Sequence, residues 1–224
     1  QMLERNYFGT MLVYTGQADG MITGYSHAYP KAIRPVLEII KKEEGVRRVA
    51  AASIMFGKQG PLFLSDATIN INPTAEELAN IALLTARAVK FFGLEPSVAM
   101  LSYSNFGSAV SESSLKVREA VAYLHKNHPD LVVDGEIQAD FALNPDKIAK
   151  NYPFSKLNNG KAANVLIFPN LEAANISYKL LKETDTIGPV ILGLTKPIHV
   201  ATLGSTVDEM VNLATLAVIQ AQSE

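Results

Sequence analysis

The chain has 224 residues, 48% of them hydrophobic and 19% charged, which gives enough apolar surface for a core and is unlike a disordered tail. Its formal net charge of −2 gives no general attraction for nucleic acid, and the absence of cysteine excludes disulfides, thiolate catalysis and Cys-ligated metals. The first residues, QMLERN, lack the apolar segment of a secretory leader, and no run of about 18 apolar residues could span a bilayer. We therefore expect a cytoplasmic protein that binds neither nucleic acid nor membrane.

Strand-like and helix-like segments alternate along the chain, which predicts an α/β architecture with a largely parallel sheet. Strands are expected at residues 49–56, 61–65, 98–103, 163–168 and 190–194, with an extended stretch at 131–141. Helices are expected at 7–14 (as the end of a helix), 74–92, 111–126, 171–182 and 207–221, with a polar, exposed connection over 152–161. Two helices begin with a T-x-x-E capping box, formed by Thr74 with Glu77 and by Thr206 with Glu209.

The loop SNFGSA, residues 104–109, lies between a predicted strand and a predicted helix start. Its glycine allows close backbone approach, its hydroxyls can donate hydrogen bonds, and a helix N-terminus favours an anion. Ligands of open α/β sheets gather at the carboxyl ends of the strands, where such a loop lies. Ser104, Asn105, Gly107 and Ser108 are therefore candidate ligand-binding residues, although an ordinary βα turn explains the same composition.

A second polar loop precedes the terminal helix. Helix capping explains Thr206 and Glu209, whereas Thr202 and Ser205 have no capping role, which leaves room for a ligand.

The helix expected at residues 171–182 carries Asn175 and Tyr178 among apolar side chains. An asparagine is unfavourable in a helix interior, which favours a contact with a ligand or with another lobe. A satisfied packing hydrogen bond is the alternative.

The four histidines form no metal motif. His125 and His128 lie three apart near a helix end, where positive charge suits the helix dipole, and His27 and His199 lie in separate loops. No H-E-x-x-H pattern accompanies them. We expect no catalytic metal.

Three segments resemble the phosphotransacetylase family of phosphate acetyl- and butyryltransferases: MLSYSNFGSA, NVLIFPNLEAANISYK and the closing segment that contains KPIHVATLGSTVDEMVN. The resemblance extends over essentially the whole chain but only over the later part of the family's length. It implies two α/β/α lobes with largely parallel sheets and a ligand cleft between them. Residues 1–24 and 190–224 would form the remaining part of an incomplete first lobe, and residues 25–189 the second lobe.

The resemblance also implies a mechanism, in which the coenzyme A thiolate attacks an acyl phosphate, an aspartate acts as base, and a serine and an arginine stabilise the transition state. The serine falls here on Thr202, the arginine on Leu203 and the aspartate on Glu209. A lysine of the family falls on Phe106, whereas Arg5 remains. Loss of one transition-state clamp costs about 3–4 kcal/mol, so the resemblance implies degenerate catalysis.

The resemblance then gives a full candidate site. Its degenerate catalytic positions are Thr202 and Glu209. Its candidate ligand-binding residues, for phosphate or acetyl-CoA, are Arg5, Ser104, Asn105, Gly107, Ser108, Asn175, Tyr178, Lys196 and Ser205.

The variants SNFGS, PNLEAANISY and KPIHV are similar to the phosphotransacetylase-like C-terminal region of large bacterial NADP-dependent malic enzymes. That region is thought to bind acetyl-CoA and to inhibit the malic enzyme portion, which converts malate to pyruvate. The resemblance implies a regulatory acetyl-CoA-binding region without acyltransferase activity, in one polypeptide with a malic enzyme catalytic region and in a homo-oligomer. This segment would hold no cofactor, because NADP and a divalent metal would belong to the catalytic region. The alternatives are an active phosphate acetyltransferase and a purely structural assembly domain.

Overall fold

A computed structural model describes residues 3–57, 60–182 and 186–223. Its helices are α1 (Arg5–Tyr14), α2 (Tyr29–Ile39), α3 (Ala75–Phe91), α4 (Glu112–Asn127), α5 (Ala139–Ala142), α6 (Pro145–Asn151), α7 (Leu171–Leu181) and α8 (Val207–Gln222). Its strands are β1 (Met21–Gly24), β2 (Ala50–Gly57), β3 (Gly60–Ser65), β4 (Ser97–Leu101), β5 (Val132–Ile137), β6 (Val165–Ile167), β7 (Thr186–Leu192) and β8 (Ile198–Ala201).

Six strands form the larger sheet, in the order β5-β4-β6-β3-β2-β7. β5, β4, β6 and β3 run parallel to one another, and β2 is antiparallel to both β3 and β7. The predicted α/β architecture with mainly parallel strands is confirmed. The carboxyl ends of the four parallel strands meet at one edge of the sheet, which is where ligands bind in sheets of this kind.

Each face of the larger sheet has its own core, because successive side chains of a strand point to opposite faces. Phe63 and Met100 pack on the face that α3 and α4 cover. Their neighbours Leu64 and Leu101 pack on the face that α5, α6 and α7 cover. The sheet is therefore buried on both sides, as parallel sheets usually are.

Reciprocal capping boxes begin α3, α4 and α8, and they set where the chain turns from the sheet edge into each helix. The boxes of α3 and α8 are the two that the T-x-x-E pattern predicts. The box of α4 joins Ser111 to Ser114, a pair that the pattern does not contain.

β1 and β8 form a separate, parallel, two-stranded sheet. On one face of it, Ile198 and Val200 of β8 pack with residues of α1 and α2. On the other face, Ala201 packs with Leu213 and Leu216 of α8. Residues 190–192, at the start of the predicted first-lobe segment, lie in β7 of the larger sheet. The division into lobes at residues 24 and 190 stays a prediction.

His199 of β8 joins three elements in the interior. Its Nδ1 accepts a hydrogen bond from the backbone N–H of Ile191 in β7, at 3.2 Å, and its Nε2 lies 2.8 Å from Oε1 of Gln220 in α8. These partners require the neutral tautomer that carries its proton on Nε2. Burial lowers the pKa of His199 to about 4, although the bond to Gln220 acts in the opposite direction.

Two segments differ from the sequence predictions. The predicted extended stretch 131–141 ends as a strand at Ile137, and its last residues form α5. The connection predicted to be exposed, 152–161, is partly buried, because the Ser155 hydroxyl donates to the Asp134 carboxylate at 2.8 Å and Leu157 packs in the core. Its polar composition is therefore explained in part by internal hydrogen bonds.

Candidate functional site

The loop at residues 104–109 connects β4 to α4 at the carboxyl edge of the larger sheet. A buried carboxylate of the protein accepts hydrogen bonds from this loop. Oε1 of Glu136 accepts hydrogen bonds from the Ser104 hydroxyl at 2.9 Å and from the Gly107 N–H at 2.7 Å. The Arg118 guanidinium donates to both oxygens of the same carboxylate, at 3.0 and 3.2 Å. Two of the four candidate ligand-binding residues of this loop thus bind an anion that belongs to the protein.

Glu136 is completely buried, so its charge must be compensated inside the protein. Burial raises the pKa of its carboxyl, but the Arg118 ion pair and the donors of the loop outweigh burial, and the pKa lies below its usual range. The carboxylate is therefore ionised at neutral pH. Glu136 is not among the candidates predicted from the sequence; a glutamate inside an apolar strand, as in VVDGEI, is the signal that could have found it.

The other two candidates of this loop also have internal partners. The Asn105 side chain and Gln138 exchange two hydrogen bonds, each 2.8 Å long. The Ser108 hydroxyl accepts from the Asn105 N–H at 2.9 Å. Phe106, at the position of the family lysine, packs against the rings of Tyr152 and Phe154 with centroid distances of 4.9 and 5.1 Å. The loop is tied down by polar bonds on one side and by an aromatic cluster on the other.

The polar turn before α8 follows the carboxyl end of β8. Ser205 Oγ accepts a hydrogen bond from the Thr202 N–H at 3.0 Å and lies 3.2 Å from Thr202 Oγ1. Leu203 between them is 65% exposed and brings no charge. The turn therefore presents two adjacent hydroxyls at a helix start, beside an apolar side chain where the resemblance places an arginine.

Glu209 lies one turn into α8 and is almost fully buried. Its Oε1 accepts from the Thr186 hydroxyl at 2.6 Å and lies 2.8 Å from the Lys182 ammonium, while its Oε2 accepts from the Thr206 N–H at 3.0 Å. Burial raises the pKa of this carboxyl, but Lys182, Thr186 and Thr206 together hold the pKa below its usual range. A carboxylate with this many donors is a weak base for proton abstraction.

The ion pair predicts a stability effect at Lys182. Replacing Lys182 by methionine should lower the free energy of unfolding by about 1–3 kcal/mol, because it leaves the buried Glu209 charge without its cation. Because the folded pKa of Glu209 is lowered, its contribution is present above the usual glutamate pKa and is lost as pH falls through the folded value. Urea unfolding at neutral and acidic pH checks both points. Lys179→Met, at an exposed position in the last turn of α7, is the control; an equal loss in both variants would contradict the assignment.

The remaining candidates lie in different places. The Asn175 amide donates to the backbone oxygen of Ala67 at 3.0 Å, which is the packing bond named as the alternative. The Tyr178 hydroxyl lies 3.4 Å from Thr186 Oγ1 and so joins the Glu209 network. Arg5 is exposed in the first turn of α1.

Lys196 lies before β8, whereas Thr202 follows it. At roughly 3.3 Å per residue, the four-residue strand alone separates the two by roughly 13 Å. The resemblance also places a family arginine near Lys182 or Glu183. Lys182 lies 2.8 Å from Glu209, and Glu183 lies outside the described residues.

The structure thus brings the candidates into two groups. Ser104, Asn105, Gly107 and Ser108 form the group around Glu136, and Thr202, Ser205, Glu209 and Tyr178 form the group at the start of α8. Over residues 3–57, 60–182 and 186–223, no cluster of three or more His, Asp or Glu residues could hold a metal ion. In the same part of the chain, no helix has the length and apolar character needed to cross a membrane.

Comparisons with known proteins identify the family. The family model "Phosphate acetyl/butaryl transferase" matches residues 1–218. The phosphate acetyltransferase of Bacillus subtilis is 41% identical over 223 residues, which are 98% of this chain and 68% of that protein. The NADP-dependent malic enzyme of Salmonella typhimurium is also 41% identical, over 219 residues, which are 96% of this chain but 29% of that protein.

Solved structures agree with this assignment. A phosphotransacetylase from Streptococcus pyogenes superposes with a TM-score of 0.88 at 40% identity, over 98% of this chain and 68% of that one. The EutD phosphotransacetylase from Staphylococcus aureus superposes with a TM-score of 0.83 at 38% identity, over 96% of this chain and 67% of that one. The chain spans about two thirds of these relatives and under a third of the malic enzyme. It belongs to the phosphate acetyl/butyryl transferase family.

Proposed function

We propose that this chain is the phosphotransacetylase-like region of an NADP-dependent malic enzyme, that it binds acetyl-CoA as a regulatory ligand, and that it does not transfer acetyl groups. The observation that carries the proposal is that Glu209, at the position of the family's base, is buried and already hydrogen-bonded. Its carboxylate is buried and holds three donors, from Lys182, Thr186 and Thr206. A general base needs a free lone pair within reach of the proton that it removes.

The chemistry around Glu209 supports the same proposal. Acyl transfer from a phosphate needs cations where negative charge develops, and Leu203 supplies none at the position that the resemblance gives to an arginine. The hydroxyls of Thr202 and Ser205 remain in contact with each other at the start of α8. Hydroxyls and a helix N-terminus are sufficient to bind an anionic ligand. Stabilising phosphate as the leaving group of the reaction also needs cationic side chains.

The malic enzyme relative supports the wider context. Its match to this chain covers 29% of its length, so the similarity concerns one region of a much larger protein. In the proposed arrangement, acetyl-CoA binds between the two lobes and a malic enzyme catalytic region belongs to the same polypeptide. NADP and a divalent metal belong to that catalytic region, and the whole protein is a cytoplasmic homo-oligomer.

A second candidate function is active phosphate acetyl transfer. The matches to phosphate acetyltransferases favour it, because this chain spans 68% of the Bacillus subtilis protein. In this alternative, Thr202, Glu209, Arg5 and Lys196 carry the reaction. Lys182 would then have to leave Glu209 and serve the phosphate, since its ammonium is a cation that already contacts the first turn of α8.

Turnover of acetyl phosphate and coenzyme A distinguishes the two functions. With the Bacillus subtilis relative as a positive control, we expect this protein to be slower by at least about 1,000-fold, because two clamping positions have lost their charge. Isothermal titration calorimetry should still detect acetyl-CoA binding. Robust turnover that Thr202→Ala abolishes would overturn the proposal and establish the second candidate. Oligomerisation without acetyl-CoA binding would instead favour a structural assembly domain.

A further inference from the structure

The loop between α6 and β6 has an exposed tip at residues 158–161, which reads NNGK. Leu157, immediately before the tip, packs in the core. Asn159 is the only asparagine of the chain that is followed by a glycine. An asparagine side-chain amide can react with the backbone nitrogen of the next residue, and a glycine there leaves that nitrogen unobstructed. The tip is therefore a candidate for a covalent change at Asn159.

The nucleophile of such a reaction, the backbone nitrogen of Gly160, is accessible. Within the described residues, the Gly160 N–H donates no hydrogen bond. Apart from its chain neighbours, no atom lies within 4 Å of the position that a Cβ on this residue would occupy. Its φ of +77° is a conformation that glycine adopts at low cost. The attacking nitrogen thus has no competing acceptor, and no distant side chain blocks its approach.

The Asn159 side chain is held where this nitrogen can reach it. Its Oδ1 accepts a hydrogen bond from the Lys161 N–H at 3.0 Å. This Asx turn closes a ring of atoms that contains both the Asn159 Cγ and the Gly160 nitrogen, so the two reacting atoms are kept together. The same N–H stabilises the negative charge that develops on Oδ1 during the attack. The Nδ2 that must leave makes a long contact of 3.4 Å to Ser97 Oγ.

Asn158 provides an internal comparison. Its Nδ2 donates to the Pro153 oxygen at 3.1 Å. The nitrogen that would attack it belongs to Asn159, whose N–H already donates to the Leu157 oxygen at 2.9 Å. That nitrogen also belongs to a residue with a Cβ, which crowds the attack. The two adjacent asparagines therefore differ both in the nucleophile and in the group that leaves.

We propose that Asn159 is a site of spontaneous deamidation, which converts it to aspartate and isoaspartate. The Gly160 nitrogen loses its proton to solvent and bonds to the Asn159 Cγ, the Cγ–Nδ2 bond breaks, and Nδ2 leaves as ammonia. Water then opens the resulting succinimide ring at either carbonyl. The net reaction consumes water and releases ammonia, and it adds negative charge to a chain whose formal net charge is −2. This inference does not depend on the proposed function.

Peptide mapping of the intact protein after ageing under mildly alkaline conditions tests the inference. Trypsin releases residues 157–161 as one peptide, whose fragment masses distinguish Asn158 from Asn159. We expect a gain of about 1 Da at Asn159, where a hydroxyl replaces the amide nitrogen. This gain should be at least about tenfold faster than at Asn158. Isoaspartate should appear among the products, identified by its electron-transfer fragments.

Two variants assign the cause. Gly160→Ala should slow the gain at Asn159 by about tenfold or more, because it places a Cβ beside the attacking nitrogen and disfavours the positive φ. Asn158→Ser is the matched control and should age at Asn159 like the parent. Circular dichroism spectra establish that both variants are folded.

Contrary outcomes are equally distinct. The inference is overturned if Asn159 gains mass no faster than Asn158 in the parent, or if folded Gly160→Ala ages like the parent. It is also overturned if the chain unfolded in guanidinium chloride reacts at Asn159 more than about tenfold faster than the folded protein, because the fold would then protect this side chain. Aspartate without any isoaspartate would indicate direct hydrolysis and would reject attack by Gly160.

Discussion

Replacing Glu136 by alanine is expected to lower the free energy of unfolding by about 1–3 kcal/mol, because it removes a buried acceptor while the Arg118 side chain, 42% exposed, stays solvated. The change removes the acceptor of three groups at once: the Ser104 hydroxyl, the Gly107 N–H and the Arg118 guanidinium. The Ser104 hydroxyl can still donate to the Ala109 oxygen at 3.0 Å, so the loss comes mainly from the Gly107 N–H and the Arg118 guanidinium. A buried donor that loses its acceptor costs about 1–3 kcal/mol. Chemical denaturation at neutral pH measures the loss. Hydrogen exchange should also become faster in residues 104–109, because the loop is tied to the sheet through this carboxylate.

Two further variants define the cause. Glu136→Gln keeps an acceptor oxygen and removes the charge, so we expect roughly half of the alanine effect. Glu119→Ala removes an exposed carboxylate next to Arg118 in the sequence and should change stability by less than about 0.5 kcal/mol. If Glu136→Ala were no worse than Glu119→Ala, the carboxylate would not be what holds the loop.

Acidification is expected to destabilise the protein through His199 before most carboxylates titrate. A folded pKa of about 4, against about 6.5 in the unfolded chain, means that the unfolded state binds more protons below about pH 6.5. Stability must therefore fall as the pH is lowered through this window. The loss should reach about 2 kcal/mol at about pH 5 and about 3 kcal/mol at about pH 4. Urea unfolding at intervals between these values measures the slope.

A non-titrating variant isolates this contribution. His199→Gln retains a side chain that can donate and accept hydrogen bonds, so it should be less stable at neutral pH but nearly independent of pH between about 6.5 and 5. The lowered pKa values of Glu136 and Glu209 place their titration below this window. Burial raises the pKa of Asp66, so any slope that remains in His199→Gln should have the opposite sign. An unchanged slope in His199→Gln would assign the acid sensitivity to other groups.

The larger sheet could be predicted from the sequence because its strands are apolar runs bounded by turn residues, and because α3 begins with a recognisable capping box. The smaller sheet could not. β1 and β8 have four residues each, and each contains a polar or glycine residue, so neither makes a run that periodicity can detect. Their pairing also joins Met21 to Ile198. These residues are so far apart in the sequence that local patterns carry no information about their contact.

The sequence predicted the hydrogen-bond donors of the candidate site but not the carboxylate that accepts from them. Ser104 and Gly107 were selected because hydroxyls and glycine suit an anion, but the anion that they bind lies 32 and 29 residues further along the chain. The composition of a loop shows that it can bind an anion. It does not show whether that anion is a ligand or a carboxylate of the protein itself. For the same reason the ion pair between Lys182 and Glu209 was not predicted, and Glu209 was first interpreted as a base.

The carboxylate under the loop has a consequence for ligand selection. A phosphate in solution would have to displace Glu136, which is tethered to the same chain and therefore acts at an effective concentration of about millimolar or more. The ion pair with Arg118 holds Glu136 in this position more firmly. We therefore expect the loop to bind small free anions, such as inorganic phosphate, weakly.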